Sequence, residues 1–195
     1  MKNQIDQIEK IFKNITGLDI KEKKYLTKGN VHKNGVKKLD ENYQCIYMFF
    51  SEKCCLKVGY VDQGSPQRWN SHHYTAPRTE IKIEKETGIK KVVHPGSTLP
   101  RSIMLDSYAK HRFQESSHND IDSLNNKFKS ISSDKLQGKD TKKLTSDLSK
   151  EFRSFIENNT DRVELSIEKQ KNTFAIKLLE SISIYILNPQ YEGKN

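Results

Sequence analysis

Apolar residues recur at helical spacing near both ends of the chain. In residues 5–15 they return every three or four positions, and Gly17 is placed to end the helix that this spacing predicts. In residues 173–187 they cover most of the helical circumference, which predicts a helix buried in the core. Asn188 and Pro189 follow and should end this helix, because the residue before a proline is biased away from helical geometry.

The middle of the chain carries further helical patterns in a polar background. Residues 99–113 begin with Leu-Pro and place apolar side chains on one helical face. Residues 121–131 and 144–155 also keep apolar residues at helical spacing, and the polar stretch LQGKDTKK separates them. We therefore predict a helical hairpin within an insert over residues 100–165. The Ser-, Lys- and Asn-rich composition also allows a partly disordered segment.

Two β patterns precede these helices. Residues 43–50, YQCIYMFF, and residues 55–61, CLKVGYV, are rich in β-branched and aromatic residues, and SEKC between them can form a turn. They predict two antiparallel strands. Gly59 within the second strand indicates a close backbone approach or a bulge. Residues 80–93 alternate apolar and polar positions around a Thr-Gly pair, which predicts a further strand or hairpin.

The segments beside the first hairpin receive different assignments. The Lys-rich residues 21–39 are interpreted as a basic arm, either solvated or following a phosphate backbone, with His32 exposed within it. After the second strand, Ser65 is placed to cap a helix whose first residue is Pro66. That helix would hold QRWNSHHY and end before Pro77.

Composition and charge narrow the functional classes. The 195 residues are 33% hydrophobic and 30% charged, which suits one domain with a modest core. No segment is apolar enough to span a bilayer, and the first residues lack a signal-peptide pattern. Three cysteines without framework spacing favour reduced thiols in a cytosolic protein. The net charge of +9 and the pI near 9.3 favour a polyanionic partner such as nucleic acid.

Glu180 is the first candidate for a catalytic or metal-binding residue. It lies in the middle of the apolar helix, and a buried carboxylate is costly unless it has a partner, a proton or a metal. A carboxylate that projects from a buried helix is suited to hold a hard cation such as Mg²⁺. Lys177, one turn earlier, offers the alternative of a surface ion pair.

Further candidates lie in and after the first hairpin. Arg68 and His72 are four residues apart, so they would share one face of a helix, where Arg offers a fork of donors to phosphate and His can hold a proton. Tyr47 and Lys57 lie in the two paired strands. Lys57 is flanked by Leu56 and Val58, and alternation turns it to the face opposite both. For each of these side chains the alternative to a catalytic role is an ordinary structural one, either packing in the core or exposure to solvent.

The order of these residues resembles the GIY-YIG nuclease superfamily. Residues 45–47, CIY, stand where that family has GIY, and residues 57–59, KVG, stand where it has YIG. The separation of the two tripeptides agrees with the family pattern, as do Arg68 with a His four residues later and Glu180 on a late buried helix.

Two departures from the family pattern carry information. Cys45 replaces the first Gly, which ordinary β backbone tolerates. Lys57 replaces the first Tyr of the second tripeptide. Some restriction endonucleases of the superfamily carry Lys at that position, so the resemblance is greatest to the type II restriction branch.

The resemblance implies an α+β fold, with a small antiparallel or mixed sheet flanked by helices. One nuclease domain would cover residues 1–195. Its catalytic core would take residues 43–93 and 173–192, preceded by an N-terminal helix and basic arm in residues 1–42 and interrupted by the helical insert. The implied activity is metal-dependent hydrolysis of phosphodiester bonds in double-stranded DNA, with Mg²⁺ or Mn²⁺. The cysteine pattern separately predicts a cytoplasmic location. A palindromic target would favour a homodimer.

The resemblance also implies roles for individual residues. Glu180 would hold the metal, and Arg68 would contact the scissile phosphate. Tyr47 would orient or deprotonate the attacking water, and Lys57 would favour its phenolate form. His72 would assist with a proton or a phosphate. The weaker candidates for DNA contact are Lys37, Lys38, His73 and Asn188, and Glu192 lies where the family commonly has Asn.

Three alternatives remain open from the sequence. The same scaffold could serve as a non-catalytic basic DNA-binding module, or as a nicking nuclease of the repair or homing type. A helical protein-interaction factor built around residues 100–165 is the third. A zinc or HNH-type site through His73, His94 and His118 has no defensible ligand spacing.

Overall fold

The computed structural model describes residues 1–61, 69–95 and 98–192, except the side chain of Thr98. The chain has an α+β fold and forms two compact units, Met1–Asn70 with Glu157–Asn195, and Ser71–Ile156. In chain order, the helices and strands are α1 (Lys2–Thr16), β1 (Glu22–Leu26), α2 (Asn30–Gly35), β2 (Tyr43–Phe50), β3 (Cys55–Val61), β4 (Glu80–Ile83), β5 (Lys90–Val93), α3 (Thr98–Leu105), α4 (His118–Leu136), α5 (Lys142–Asn159), β6 (Asp161–Glu168) and α6 (Phe174–Leu187).

The first unit is built on a four-stranded antiparallel sheet in the order β1-β6-β2-β3. The β2–β3 hairpin predicted from the sequence is confirmed, with Tyr47 opposite Gly59 and Phe49 opposite Lys57. The register shifts by one residue beyond Phe49, where Phe50 pairs with Cys55. This irregularity bends the end of the hairpin without disturbing the pairs around Tyr47.

One face of this sheet, the apolar face, carries the core of the first unit. Successive side chains of a strand alternate between faces, and Ile46, Met48, Val58, Val163 and Leu165 share the apolar face. The helices α1 and α6 cover it, so both predicted terminal helices are present. The expectation that α6 is buried on most sides is wrong, because Phe174 and Tyr185 are 75% and 88% exposed. Their side chains in the same buried cluster are Ile5, Ile8, Phe12, Ile176, Leu179 and Leu187.

The opposite face, here called the charged face, is of a different kind. It carries Tyr47, Phe49 and Lys57 from the β2–β3 hairpin and Arg162 and Glu164 from β6. The same alternation that fills the apolar face with aliphatic residues therefore collects ionisable and aromatic groups on the other side.

Parts of the predicted layout are wrong. The basic-arm prediction misses β1 and α2, because Lys-rich residues 22–26 pair as an edge strand with β6. Residues 161–165, predicted as part of the helical insert, begin β6, which lies between β1 and β2. This strand alternates Val163, Leu165 and Ile167 with charged or polar residues, and that alternation is a strand signal that the surrounding helical pattern obscured.

The second unit contains the β4–β5 hairpin and the helices α3 and α4, with most of α5. The predicted hairpin over residues 80–93 is confirmed, and so is the helical spacing of residues 121–131 and 144–155. The helices bury Ile121, Leu124, Phe128, Leu148, Phe152 and Phe155, so this segment is an ordered, packed structure. In the part of the chain that the structure describes, no helix has the length and apolarity needed to cross a membrane.

Candidate active site

Tyr47 and Gly59 lie in direct contact across the β2–β3 hairpin. A Cβ atom on residue 59 would lie 2.5 Å from Cζ and 2.9 Å from Cε2 of Tyr47, and closer still to the phenol oxygen. Real Cβ atoms essentially never come that close to a neighbour, so only glycine leaves room for the tyrosine ring. The close backbone approach predicted at Gly59 is confirmed. The Tyr47 ring is 2% exposed and meets Phe49 and Trp69 edge-on, each at 6.0 Å between centroids.

Arg162 is the centre of the cluster on the charged face. Its guanidinium carbon lies 4.5 Å from the ring centroid of Trp69 and 5.5 Å from those of Tyr47 and Phe49. Its Nη1 donates a hydrogen bond of 2.8 Å to the Trp69 carbonyl, and its Nε lies 2.9 Å from Oε1 of Glu164. Such contacts between a cation and aromatic faces are favourable, and more so away from water.

This cluster was not found from the sequence. Arg162 is fully buried and Glu164 is 3% exposed, so the ion pair is removed from solvent. Burial raises the pKa of the Glu164 carboxyl, and the charge of Arg162 opposes that rise. The signal in the sequence is the alternation of β6 itself, which turns both charged side chains to the face that holds Tyr47. The structure thus surrounds Tyr47 with a cation and aromatic rings.

The loop between α2 and β2 is tied to the same cluster. The indole Nε1 of Trp69 donates a hydrogen bond of 2.8 Å to the carbonyl of Lys37. The side chains of Lys37 and Lys38 are exposed on this loop. Trp69 is itself 3% exposed, so it packs within this cluster.

His32 is fully buried, and the expectation that it is exposed is wrong. Its Nδ1 donates a hydrogen bond of 2.7 Å to the Thr160 carbonyl, next to β6. Burial lowers the pKa of His32 to about 4, with the nearby Arg162 charge acting in the same direction. The ring is therefore neutral at physiological pH and serves the packing of Phe49, whose centroid lies 6.0 Å away.

Lys57 has a partner that its sequence neighbourhood does not reveal. Its Nζ lies 2.9 Å from Oε2 of Glu192, whose Oε1 accepts a hydrogen bond of 2.8 Å from the Val58 backbone. The chain reaches this position because the backbone amides of Gln190 and Tyr191 donate to carbonyls of β3, at 3.0 and 2.8 Å. Residues 190–192, here called the C-terminal strap, therefore lie along the open edge of β3 and hold the Lys57 ammonium.

Glu180 lies on the other layer of the unit. It is half-buried on α6, whose Ile176 and Leu179 pack into the cluster on the apolar face. Tyr47 and Lys57 lie on the charged face, so α6 and these two side chains are on opposite sides of the sheet.

The structure places the other candidates separately. Arg68 lies outside the described residues. The regular helix ends at Asn70, so the prediction of one helical face through His72 is wrong: His72 belongs to a 3₁₀ turn, His72–Tyr74, of the second unit, where its side chain is exposed. His73 in the same turn is 3% exposed, and burial removes it from direct contact with DNA. Asn188 is exposed and ends α6 with a φ of 44°.

Metal ligands are sparse in this arrangement. Within residues 1–61, 69–95 and 98–192, no three His, Cys, Asp or Glu side chains lie together as a metal-binding group. This argues against a zinc site through His73, His94 and His118, and the His94 ring packs at 4.7 Å from that of Phe128. Mg²⁺ often binds one or two carboxylates together with substrate phosphates, and the single carboxylate of Glu180 fits that type of site.

Comparisons with protein-family models, with curated proteins and with solved structures find no match to this chain.

Proposed function

We propose that this chain is a metal-dependent endonuclease that hydrolyses phosphodiester bonds in double-stranded DNA, most similar to the type II restriction branch of the GIY-YIG nucleases. The observation that carries the proposal is the geometry of the two tripeptides. Residues 45–47 pair directly with β3, and the Tyr47 phenol crosses Gly59 beside Lys57 on the same face. The residue order of the motif thus occurs together with a physical reason for its glycine, which is the close contact between Gly59 and the Tyr47 ring.

In this proposal the phenol of Tyr47 orients the attacking water and accepts its proton. The cations on this face are Lys57 and Arg162, and each is paired with a carboxylate, Glu192 and Glu164 respectively. Glu192 holds the Lys57 ammonium in place through two contacts with β3. Tyr47 is 2% exposed, so its phenol meets the substrate only when DNA binding opens the charged face.

The phosphate is bound by separate groups. Arg68 contacts the scissile phosphate through its planar fork of donors as charge builds up in the transition state. Glu180 is the residue that would hold Mg²⁺ or Mn²⁺, an ion that supplies neutralisation of phosphate charge. A cytosolic location and a two-fold dimer stay predictions.

The test is cleavage of a supercoiled plasmid by purified protein in Mg²⁺, with EDTA as the metal-free control. We expect Tyr47→Phe and Glu180→Gln to abolish cleavage, and Glu115→Gln, at an exposed carboxylate of the second unit, to leave it unchanged. Metal-dependent cleavage that survives both site variants would disprove the assignment. Discrete fragments would indicate a restriction endonuclease, and random nicks would indicate a nicking nuclease of the repair or homing type.

One observation favours a second candidate, a non-catalytic DNA-binding module on the same scaffold. Tyr47 is buried and Lys57 is neutralised by Glu192, which suits a scaffold that keeps the hairpin for stability. This candidate predicts salt-dependent binding to duplex DNA and no strand scission in any divalent metal. Here Glu180→Leu should stabilise the fold, since the carboxylate would have no metal to bind.

A further inference from the structure

The β4–β5 hairpin, here called the basic ribbon, has solvent on much of both faces. Its strands are four residues each, and Glu80, Lys82, Lys90 and Lys91 are exposed along them. At its root Ile81, Val92 and Val93 are half-buried, and the hairpin packs against α4 of the same unit. The far end carries two exposed isoleucines, Ile83 at 62% and Ile89 at 55%.

The turn of the basic ribbon is held by several hydrogen bonds around Glu84. Its backbone amide donates to the Ile89 carbonyl at 3.0 Å, and its carbonyl accepts from the Gly88 amide at 2.9 Å. Its carboxylate accepts from the Thr87 hydroxyl at 2.7 Å and from Lys91 Nζ at 2.8 Å. Gly88 supplies the positive φ of 68° that this turn needs. The ribbon therefore presents its side chains from an ordered end.

The charges on the basic ribbon are only partly balanced. Lys82 and Lys91 are directly opposite each other in the register, and like charges in that arrangement destabilise a hairpin. Glu84 pairs with Lys91, and the other two glutamates of residues 80–93, Glu80 and Glu86, are exposed, so the four lysines of the ribbon stand beside three glutamates. Among the residues that the structure describes, Lys82, Lys85 and Lys90 have no carboxylate within ion-pair distance. Lys82 and Lys91 share one face of the ribbon, and Lys90 lies on the other face opposite Ile83. Lysines without a carboxylate partner on both faces are available to a negatively charged binding partner.

The dimensions match one polyanion in particular. Four residues per strand span about 13 Å, and two strands lie about 5 Å apart before side chains are added. The major groove of duplex DNA is about 12 Å wide and accepts a two-stranded β-ribbon. Its walls are phosphates, and its floor offers thymine methyl groups to apolar side chains. The ribbon has lysines along its length, where they can face the phosphate walls. Its isoleucines lie at the far end, where they can face the thymine methyl groups on the floor of the groove.

We propose that the basic ribbon enters the major groove of duplex DNA, with Lys82, Lys85 and Lys90 on phosphates and Ile83 and Ile89 toward the base edges. This rests on the proposed function only in that the substrate is a DNA duplex. It adds a groove-reading element in the second unit, in a segment that carries none of the proposed catalytic residues.

The experiment measures binding and cleavage separately. Binding of a fluorescent duplex is followed by anisotropy in EDTA across a salt series, for wild type and for the triple variant Lys82→Gln, Lys85→Gln, Lys90→Gln. The matched control removes three exposed lysines from the helices of the same unit: Lys129→Gln, Lys142→Gln, Lys143→Gln. Circular dichroism and urea unfolding establish that both triple variants are folded.

We expect the ribbon variant to lose affinity on the order of tenfold or more at physiological salt, with the salt slope reduced by about 2.7, since each phosphate contact contributes about 0.9. The control should bind like wild type. A duplex whose cytosines carry bulky glucosyl groups in the major groove should weaken wild-type binding more than binding by the ribbon variant.

Each adverse outcome has its own meaning. Equal losses in the ribbon and control variants would disprove the ribbon as the contact element, and so would a ribbon variant that binds like wild type. An unchanged preference between plain and glucosylated duplex would disprove entry into the major groove. Tight, ribbon-dependent binding without cleavage in Mg²⁺ would leave this inference standing and overturn the nuclease. Binding to anionic vesicles instead of DNA would overturn both.

Discussion

The contact between Tyr47 and Gly59 makes a specific prediction about the substitution Gly59→Ala. The added methyl group would lie 2.5 Å from Cζ of Tyr47. The tyrosine ring cannot easily move away, because Phe49, Trp69 and Arg162 pack around it. Overpacking of this kind costs about 1–3 kcal/mol. Replacement of glycine by alanine also returns about 0.4–1 kcal/mol by restricting the unfolded chain. We expect a net loss of about 1–2 kcal/mol in the free energy of unfolding.

A double-mutant cycle separates the clash from other effects. Tyr47→Ala alone should cost about 3–5 kcal/mol, as for other large aromatic truncations. With the ring removed, Gly59→Ala should become neutral or stabilising, so the coupling energy between the two sites should be about 2 kcal/mol. Tyr47→Phe provides the matched control, because it removes only the hydroxyl. Cζ and Cε2 would still clash with the new methyl, and most of the destabilisation should remain.

The assay is urea unfolding of the four proteins of the cycle and the Phe control. The protein has one tryptophan, Trp69, and its ring lies 6.0 Å from that of Tyr47, so its fluorescence reports directly on this site. A coupling energy near zero, or a Gly59→Ala protein as stable as wild type, would show that the Tyr47 ring does not occupy the space above Gly59. The structural basis of the proposed motif would then be lost.

Two further predictions concern buried ionisable groups on or beside the charged face. Because the pKa of His32 is about 4 in the folded state against an ordinary value of 6.5, the unfolded chain takes up the proton first, and stability should fall by about 3 kcal/mol as pH drops from 6.5 to 4. His32→Asn should remove that part of the pH dependence in urea unfolding, His72→Asn should not, and an NMR titration that places the His32 pKa near 6.5 would contradict this. Arg162→Met should cost about 3–5 kcal/mol because it leaves Glu164 buried without its cation, and adding Glu164→Gln should recover much of the loss; equal stability of the single and double variants would refute the ion pair.

Local patterns predicted much of the fold. The β2–β3 hairpin, the glycine contact, the terminal helices and the two central helices all follow from spacing within a few residues. The strand β6 was missed because its charged residues, Arg162 and Glu164, suggest a solvated surface, whereas in the folded protein they are buried against each other. The alternation of charged and apolar residues along a strand shows which side chains share a face of the sheet. It does not show whether the charged face meets water or aromatic rings.

The candidate site shows the same limit more sharply. Tyr47 and Lys57 share one face of the sheet because they lie in one hairpin whose register a local pattern can predict. The partner of Lys57, Glu192, comes from 135 positions later in the chain, and that of Tyr47, Arg162, from more than a hundred. Contacts at such separations depend on the order of strands in the sheet, which no local spacing encodes. The position of α6 on the opposite layer from Tyr47 follows from the same topology.

The C-terminal strap has a consequence for how the molecule behaves in solution. A strand at the edge of a sheet exposes amides and carbonyls that can pair with another copy, which is a common route to aggregation. Gln190 and Tyr191 occupy the Cys55 and Leu56 carbonyls at that edge, and the Glu192 carboxylate occupies the Val58 amide. Removing the last six residues would open this edge to self-assembly by strand addition.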